Sequence, residues 1–89
     1  MKPKLDLLKK EIHEFEKKAG FDKTPKKKIL KWLGEEVKNY RNAKSNEVRA
    51  NKLIDILVLD LQLAIREGCS LDKAWDKWLV KSKKYINKR

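Results

Sequence analysis

The sequence predicts an all-α fold of four helices in a single domain spanning residues 1–89. Apolar residues recur at three- and four-residue spacing along four segments, which glycine, proline or a short polar connection separates. No alternating strand pattern and no Asn-Gly or Asp-Gly hairpin turn appears. A chain of this length buries only about 60–65% of its unfolded surface, so self-association would stabilise it.

Apolar stripes and end signals predict the first two helices. Helix one runs from about Lys4 to Lys18, and its core-facing stripe is Leu5, Leu8, Ile12 and Phe15. Thr24 is the expected N-cap of helix two, with Pro25 at the first helical position. This helix reaches about Ala43, and its apolar arc holds Ile29, Leu30, Leu33, Val37 and Tyr40. Glu36 falls within that arc, so a cation or donor should lie opposite its carboxylate.

Helices three and four are predicted in the second half of the chain. Helix three runs from about Glu47 to Glu67 and ends at Gly68. Apolar residues surround most of it, so it should be central in the bundle or covered by a second copy of the chain. Ser70 is a candidate cap for helix four, whose stripe is Leu71, Trp75, Trp78, Leu79 and Ile86. We therefore expect a four-helix bundle completed by homodimerisation.

The chain is strongly basic, with 24 Lys and Arg against 13 Asp and Glu and a net charge of +11. This balance favours partners that carry phosphate or carboxylate, such as nucleotides, nucleic acid or acidic proteins. The run Lys26-Lys27-Lys28 at the start of helix two is either a solvated charged face or an anion site. With one cysteine, Cys69, no apolar signal core and no bilayer-length apolar stretch, a cytoplasmic protein without membrane contact is expected.

Two polar patches lie inside the apolar stretches of helices two and three. They are Glu35-Glu36-Val37-Lys38-Asn39 and Lys52-Leu53-Ile54-Asp55. Residues three apart share a helix face with Cβ atoms about 5–6 Å apart, so each patch aims two polar side chains at its neighbour. Four carboxylates at these positions would bind a divalent metal, but Asn39 and Lys52 occupy two of them. From the residues alone, the favoured interpretation is a solvated Glu35 that makes an i,i+4 pair and an Asp55 in a structural salt bridge.

These motifs resemble the MazG-like all-α nucleoside-triphosphate pyrophosphohydrolases, which carry Glu-Glu-x-x-Glu on one helix and Glu-x-x-Asp on the next. Glu35, Glu36 and Asp55 match that pattern, whereas Asn39 and Lys52 replace two glutamates. The resemblance implies a MazG-like bundle with Mg²⁺ as cofactor. It further implies that Glu36 and Asp55 ligate the metal, with Asn39 as an auxiliary ligand, and that Glu35 and Glu36 are catalytic.

The resemblance extends to the last helix, where the family holds the substrate's phosphates. Lys77 matches the family lysine, while Lys81 and Lys84 stand where the family has asparagine and arginine. All three are therefore expected to bind phosphate. Trp32, Trp75 and Tyr85 are the aromatic candidates for the wall of a nucleotide pocket, and a subunit contact is the alternative role for Trp32 and Trp75.

The chemistry of Lys52 distinguishes among the functions that remain possible. A protonated lysine cannot ligate Mg²⁺ and repels it, but it can neutralise Glu36 or Asp55. The first hypothesis is a protein with a degenerate metal site that binds a nucleotide or another phosphate-bearing ligand without efficient hydrolysis. The second is an active Mg²⁺-dependent enzyme that converts nucleoside triphosphate to monophosphate and pyrophosphate. The third is a basic helical module that binds nucleic acid.

Overall fold

The structure, a computed structural model, describes residues 2–87 and forms four α-helices. They are α1 (Leu5–Ala19), α2 (Lys26–Asn42), α3 (Asn46–Glu67) and α4 (Leu71–Asn87). These residues contain no strand, so the predicted all-α class and the helix count are confirmed. The bounds of the first three helices agree with the predicted ones to within one residue.

The helix ends follow most of the predicted signals. Gly20 and Gly68 adopt left-handed backbone angles, with φ of 80° and 66°, and end α1 and α3. The Ser45 hydroxyl accepts a hydrogen bond from the Val48 N–H at 3.2 Å and caps α3. The expectation for α2 was wrong, because the N-cap position is held by Pro25 and no side chain caps the first turn.

The core lies where α2 and α1 pack against α3. The most extensive contact joins α2 to α3, the next joins α1 to α3, and α4 packs mainly on α1. Within residues 2–87 the buried hydrophobic side chains are Ile29, Leu59, Leu61 and Ala64. Three of these four belong to α3, which is therefore the central helix as predicted.

The buried face of α1 differs from the predicted apolar stripe. Leu8 and Phe15 are 39% and 52% exposed, whereas Glu16 is fully buried. The Arg66 guanidinium donates to both Glu16 carboxylate oxygens, at 3.0 and 2.6 Å, and Gln62 donates to one of them at 2.9 Å. Because its charge is paired and its oxygens are hydrogen-bonded, a carboxylate is tolerated at the centre of this interface.

The N-termini of α1 and α4 are joined by reciprocal capping. The Asp6 carboxylate accepts hydrogen bonds from the Ser70 hydroxyl at 2.7 Å and from the Leu71 N–H at 2.8 Å. The Asp72 carboxylate accepts from the Leu5 N–H at 2.8 Å. Each acid thus lies at the positive end of the other helix.

The remainder of α4 is largely exposed, with a few half-buried residues such as Trp75. None of its residues is fully buried, and Trp78, which the stripe assigned to the core, is 52% exposed. Its ring lies 5.1 Å from that of Trp75. None of the four helices, over the part of the chain that the structure describes, has the length and apolar character needed to span a membrane.

Candidate functional site

A cavity of about 320 Å³ opens between α2 and α3. We call it the acidic pocket; its lining is Trp32, Glu35, Glu36, Asp55, Val58 and Leu59. The volume lies at the lower end of the range for small-molecule sites. Four residues that the sequence singled out therefore share one pocket.

Lys52 forms the expected ion pairs with two carboxylates of the acidic pocket, although it is not itself a lining residue. Its Nζ lies 3.5 Å from Glu36 Oε2 and 3.6 Å from Asp55 Oδ2. Lys52 and Glu36 are partly buried at the contact between α2 and α3, and Asp55 is exposed. One ammonium therefore bridges the two carboxylates from neighbouring helices.

The two carboxyl groups influence each other's protonation. A hydrogen bond with Glu36 is the largest cause that raises the pKa of Asp55, and burial raises it further. Burial also favours a higher pKa for Glu36, but hydrogen bonds with Asp55 and Asn39 and the charge of Lys52 outweigh it and lower the pKa. The two pKa values thus move in opposite directions, and the two carboxyl groups titrate as a coupled pair.

The side chains around Lys52 form a poor donor set for Mg²⁺. This ion requires oxygen ligands in near-octahedral geometry at about 2.0–2.1 Å. Here the Asn39 amide donates its N–H to Glu36 Oε1 at 3.0 Å, and the ammonium of Lys52 lies beside the other Glu36 oxygen. Among residues 2–87, no group of three or more His, Cys, Asp or Glu side chains is arranged to hold a metal ion. As arranged, these residues do not fit a resident Mg²⁺.

The predicted site residues of α4 lie away from the acidic pocket. None of its lining residues comes from α4, which packs mainly on α1. Lys77, Lys81, Lys84 and Tyr85 are exposed, and Trp75 is half-buried against Trp78. Within one copy of the described chain, the structure does not bring them to the pocket. Their roles in binding phosphate and nucleotide stay predictions.

A second cavity lies next to the first, and sequence reasoning did not place it at the site. It measures about 690 Å³, and we call it the lysine groove; its lining is Pro25, Lys27, Lys28, Leu30, Lys31 and Trp32. Trp32 lines both cavities, and Lys28 Nζ lies 5.4 Å from the centre of its ring. The signal in the sequence was the lysine run at the start of helix two.

No family model, no curated protein and no solved structure matches the chain. The MazG-like resemblance therefore depends on the motifs of α2, α3 and α4. The fold and the site therefore define an all-helical protein in which an ion-paired acidic pocket lies beside a cationic groove.

Proposed function

We propose that the chain is a MazG-like protein with a degenerate metal site, which binds a nucleotide or another phosphate-bearing ligand without efficient hydrolysis. One observation carries the proposal: Lys52 Nζ lies within 3.6 Å of both Glu36 and Asp55. The ammonium supplies from within the chain part of the positive charge that Mg²⁺ supplies in the family. It neutralises acids, but it does not activate water as a divalent ion does, so binding is retained and turnover is lost.

The walls of the acidic pocket support a nucleotide-sized ligand. Trp32 offers a flat aromatic surface, and stacking of a base on such a surface contributes about 1–3 kcal/mol. Glu35 and Asp55 place carboxylate oxygens at the same cavity, where they accept hydrogen bonds from amino or hydroxyl groups. A ligand with a base and a sugar satisfies both features.

Binding and turnover assays test this function. Calorimetry with nucleoside triphosphates should give similar affinity in Mg²⁺ and in EDTA, and a pyrophosphate assay with Mg²⁺ should give no turnover. The variant Lys52→Glu with Asn39→Glu restores the four carboxylates and should acquire both turnover and a melting temperature that rises with Mg²⁺. Lys38→Glu is the matched control, because Lys38 is exposed on α2 and makes no ion pair with residues 2–87.

The contrary outcomes identify the competing functions. Pyrophosphate release by the unaltered chain would make it an active Mg²⁺-dependent enzyme. Absence of nucleotide binding, together with nucleic-acid binding that weakens steeply with salt, would make it a nucleic-acid module. Nucleotide binding that requires Mg²⁺ would show that the charge of Lys52 does not take the place of the metal.

We propose further that two copies of the chain associate. One copy exposes 7322 Å², whereas a compact monomer of 10.6 kDa exposes about 5,500 Å². The radius of gyration is 15.2 Å, against about 12 Å for a compact domain of this length. Leu30 on α2 and Leu53 and Ile54 on α3 are more than half exposed. If two copies bury this excess surface in a symmetric interface, the total buried area lies in the range that is typical of obligate homodimers.

Light scattering coupled to size-exclusion chromatography tests the dimer. The expected mass is about twice 10.6 kDa and should not change on dilution. Ile54→Glu places a charge in the exposed apolar face of α3 and should shift the protein toward monomer. Glu47→Gln, a change at an exposed polar residue of the same helix, should leave the mass unchanged. A stable 10.6 kDa species at all concentrations would contradict the dimer.

A further inference from the structure

Trp32 lines two cavities of opposite charge. Glu35, Glu36 and Asp55 are among the lining residues of the acidic pocket, whereas Lys27, Lys28 and Lys31 line the lysine groove. Lys28, Trp32 and Glu36 are each four residues apart and therefore share one face of α2. The rise along the helix from Lys28 to Glu36 is about 12 Å, which is comparable with the length of a nucleotide from base to phosphate chain.

The lysine groove holds positive charge that no ion pair within residues 2–87 neutralises. Lys26, just outside it, bonds to the Glu67 carboxylate at 2.7 Å. Lys27, Lys28 and Lys31 make no ion pair with any residue in the range 2–87, and the first turn of α2 contains no acid. Lys27 and Lys31 are four residues apart, and Lys28 and Lys31 are three apart, so their charges repel. An anion in the groove would relieve that repulsion.

The acidic pocket is unfavourable for a phosphate chain when no metal ion is present. Glu35, Glu36 and Asp55 together carry up to three negative charges at this pocket, and the single positive charge of Lys52 compensates only one of them. Amino and hydroxyl groups of a base or sugar, in contrast, donate to these carboxylates.

We infer that the ligand of the proposed function is a nucleotide that stacks on Trp32 with its phosphates in the lysine groove and its donor groups in the acidic pocket. This orientation rests on the proposed function. It differs from the sequence-based expectation that Lys77, Lys81 and Lys84 hold the phosphates. Lys27, Lys28 and Lys31 are the positioning cations, and Trp32 provides the stacking surface.

Trp32 fluorescence provides the test. A background of Trp75→Phe with Trp78→Phe leaves Trp32 as the single indole. Titration with ATP should quench its fluorescence, and adenosine should quench it more weakly. Changing Lys27, Lys28 and Lys31 to Gln should weaken ATP binding by at least roughly tenfold, the loss expected when a charge-assisted hydrogen bond is removed, and leave adenosine affinity unchanged.

Two further triple variants remove the same number of positive charges outside the lysine groove. Changing Lys17, Lys18 and Lys23 to Gln alters exposed lysines outside both cavities and should leave ATP affinity within about twofold. Changing Lys77, Lys81 and Lys84 to Gln tests the competing phosphate site. If this α4 variant loses ATP binding while the groove variant keeps it, the inference is overturned and the proposed function stands.

Other results are equally decisive. If no nucleotide binds to any form of the protein whose helix content is intact by circular dichroism, the proposed function and the inference both fail. If only oligonucleotides quench Trp32, with affinity that falls steeply with salt, the groove is a nucleic-acid surface and the inference is wrong.

Discussion

Replacement of the buried Glu16 should be among the most destabilising single changes in this chain. Its side chain is fully buried, and that of Arg66 is 13% exposed. Removing one partner of such a pair costs about 3–5 kcal/mol, because the other charge is left without compensation. A domain of 89 residues is stable by only about 4–13 kcal/mol in total. Glu16→Ala therefore removes a large part of the free energy of unfolding.

Urea unfolding followed by circular dichroism measures this loss, with protein concentration held constant because association contributes to stability. Glu14→Ala is the control, since Glu14 is exposed on the same helix, and it should change the free energy of unfolding by less than about 0.5 kcal/mol. A cost below about 1 kcal/mol for Glu16→Ala, the value of an exposed pair, would refute the reasoning.

Three further predictions concern pH, capping and Lys52. Burial raises the pKa of Glu16, but hydrogen bonds from Arg66, Gln62 and His13 outweigh it, so the folded-state pKa lies below 4.5. The stability that ionised Glu16 contributes is therefore present above pH 4.5 and is lost as the pH falls through the folded-state pKa. Thermal unfolding measured at a series of acidic pH values should show this loss, and the melting temperature of Glu16→Gln should depend less on pH over the same range. Ser45→Ala should cost about 1 kcal/mol in urea unfolding, and no change would contradict the cap. Lys52→Met should raise the pKa of Asp55 further in an NMR titration, and an unchanged value would contradict the ion pair.

The helices were predictable because their boundaries depend on local chemistry. Gly20 and Gly68 adopt positive φ, which glycine tolerates best, and Ser45 bonds to a backbone group three residues away. The rotation of α1 was not predictable in the same way. Glu16 is buried because Gln62 and Arg66, 46 and 50 residues along the chain, supply its partners, and no spacing within α1 reveals them.

The acidic pocket was partly predictable for a related reason. Glu36 lies on an apolar arc of its own helix, so the need for a partner was visible from the sequence, and Lys52 meets it. The position of α4 depends on tertiary capping by Asp6 and Asp72, which local periodicity does not encode. Hence the sequence identified four of the residues of α2 and α3 that share a pocket, and it did not reveal where Lys77 and Tyr85 lie.

The charge balance of the acidic pocket connects the proposed function to the inferred orientation. A divalent ion held by acids still attracts phosphate, since it carries two charges in a small volume. The single charge of Lys52 is shared between Glu36 and Asp55, and Glu35 lies in the same pocket without that help. Protonation of Asp55 reduces the negative excess as the pH falls, but the excess persists wherever all three acids are ionised. Under the proposed function, the lysine at position 52 thus also favours a ligand whose phosphates point away from the acids, toward the lysine groove.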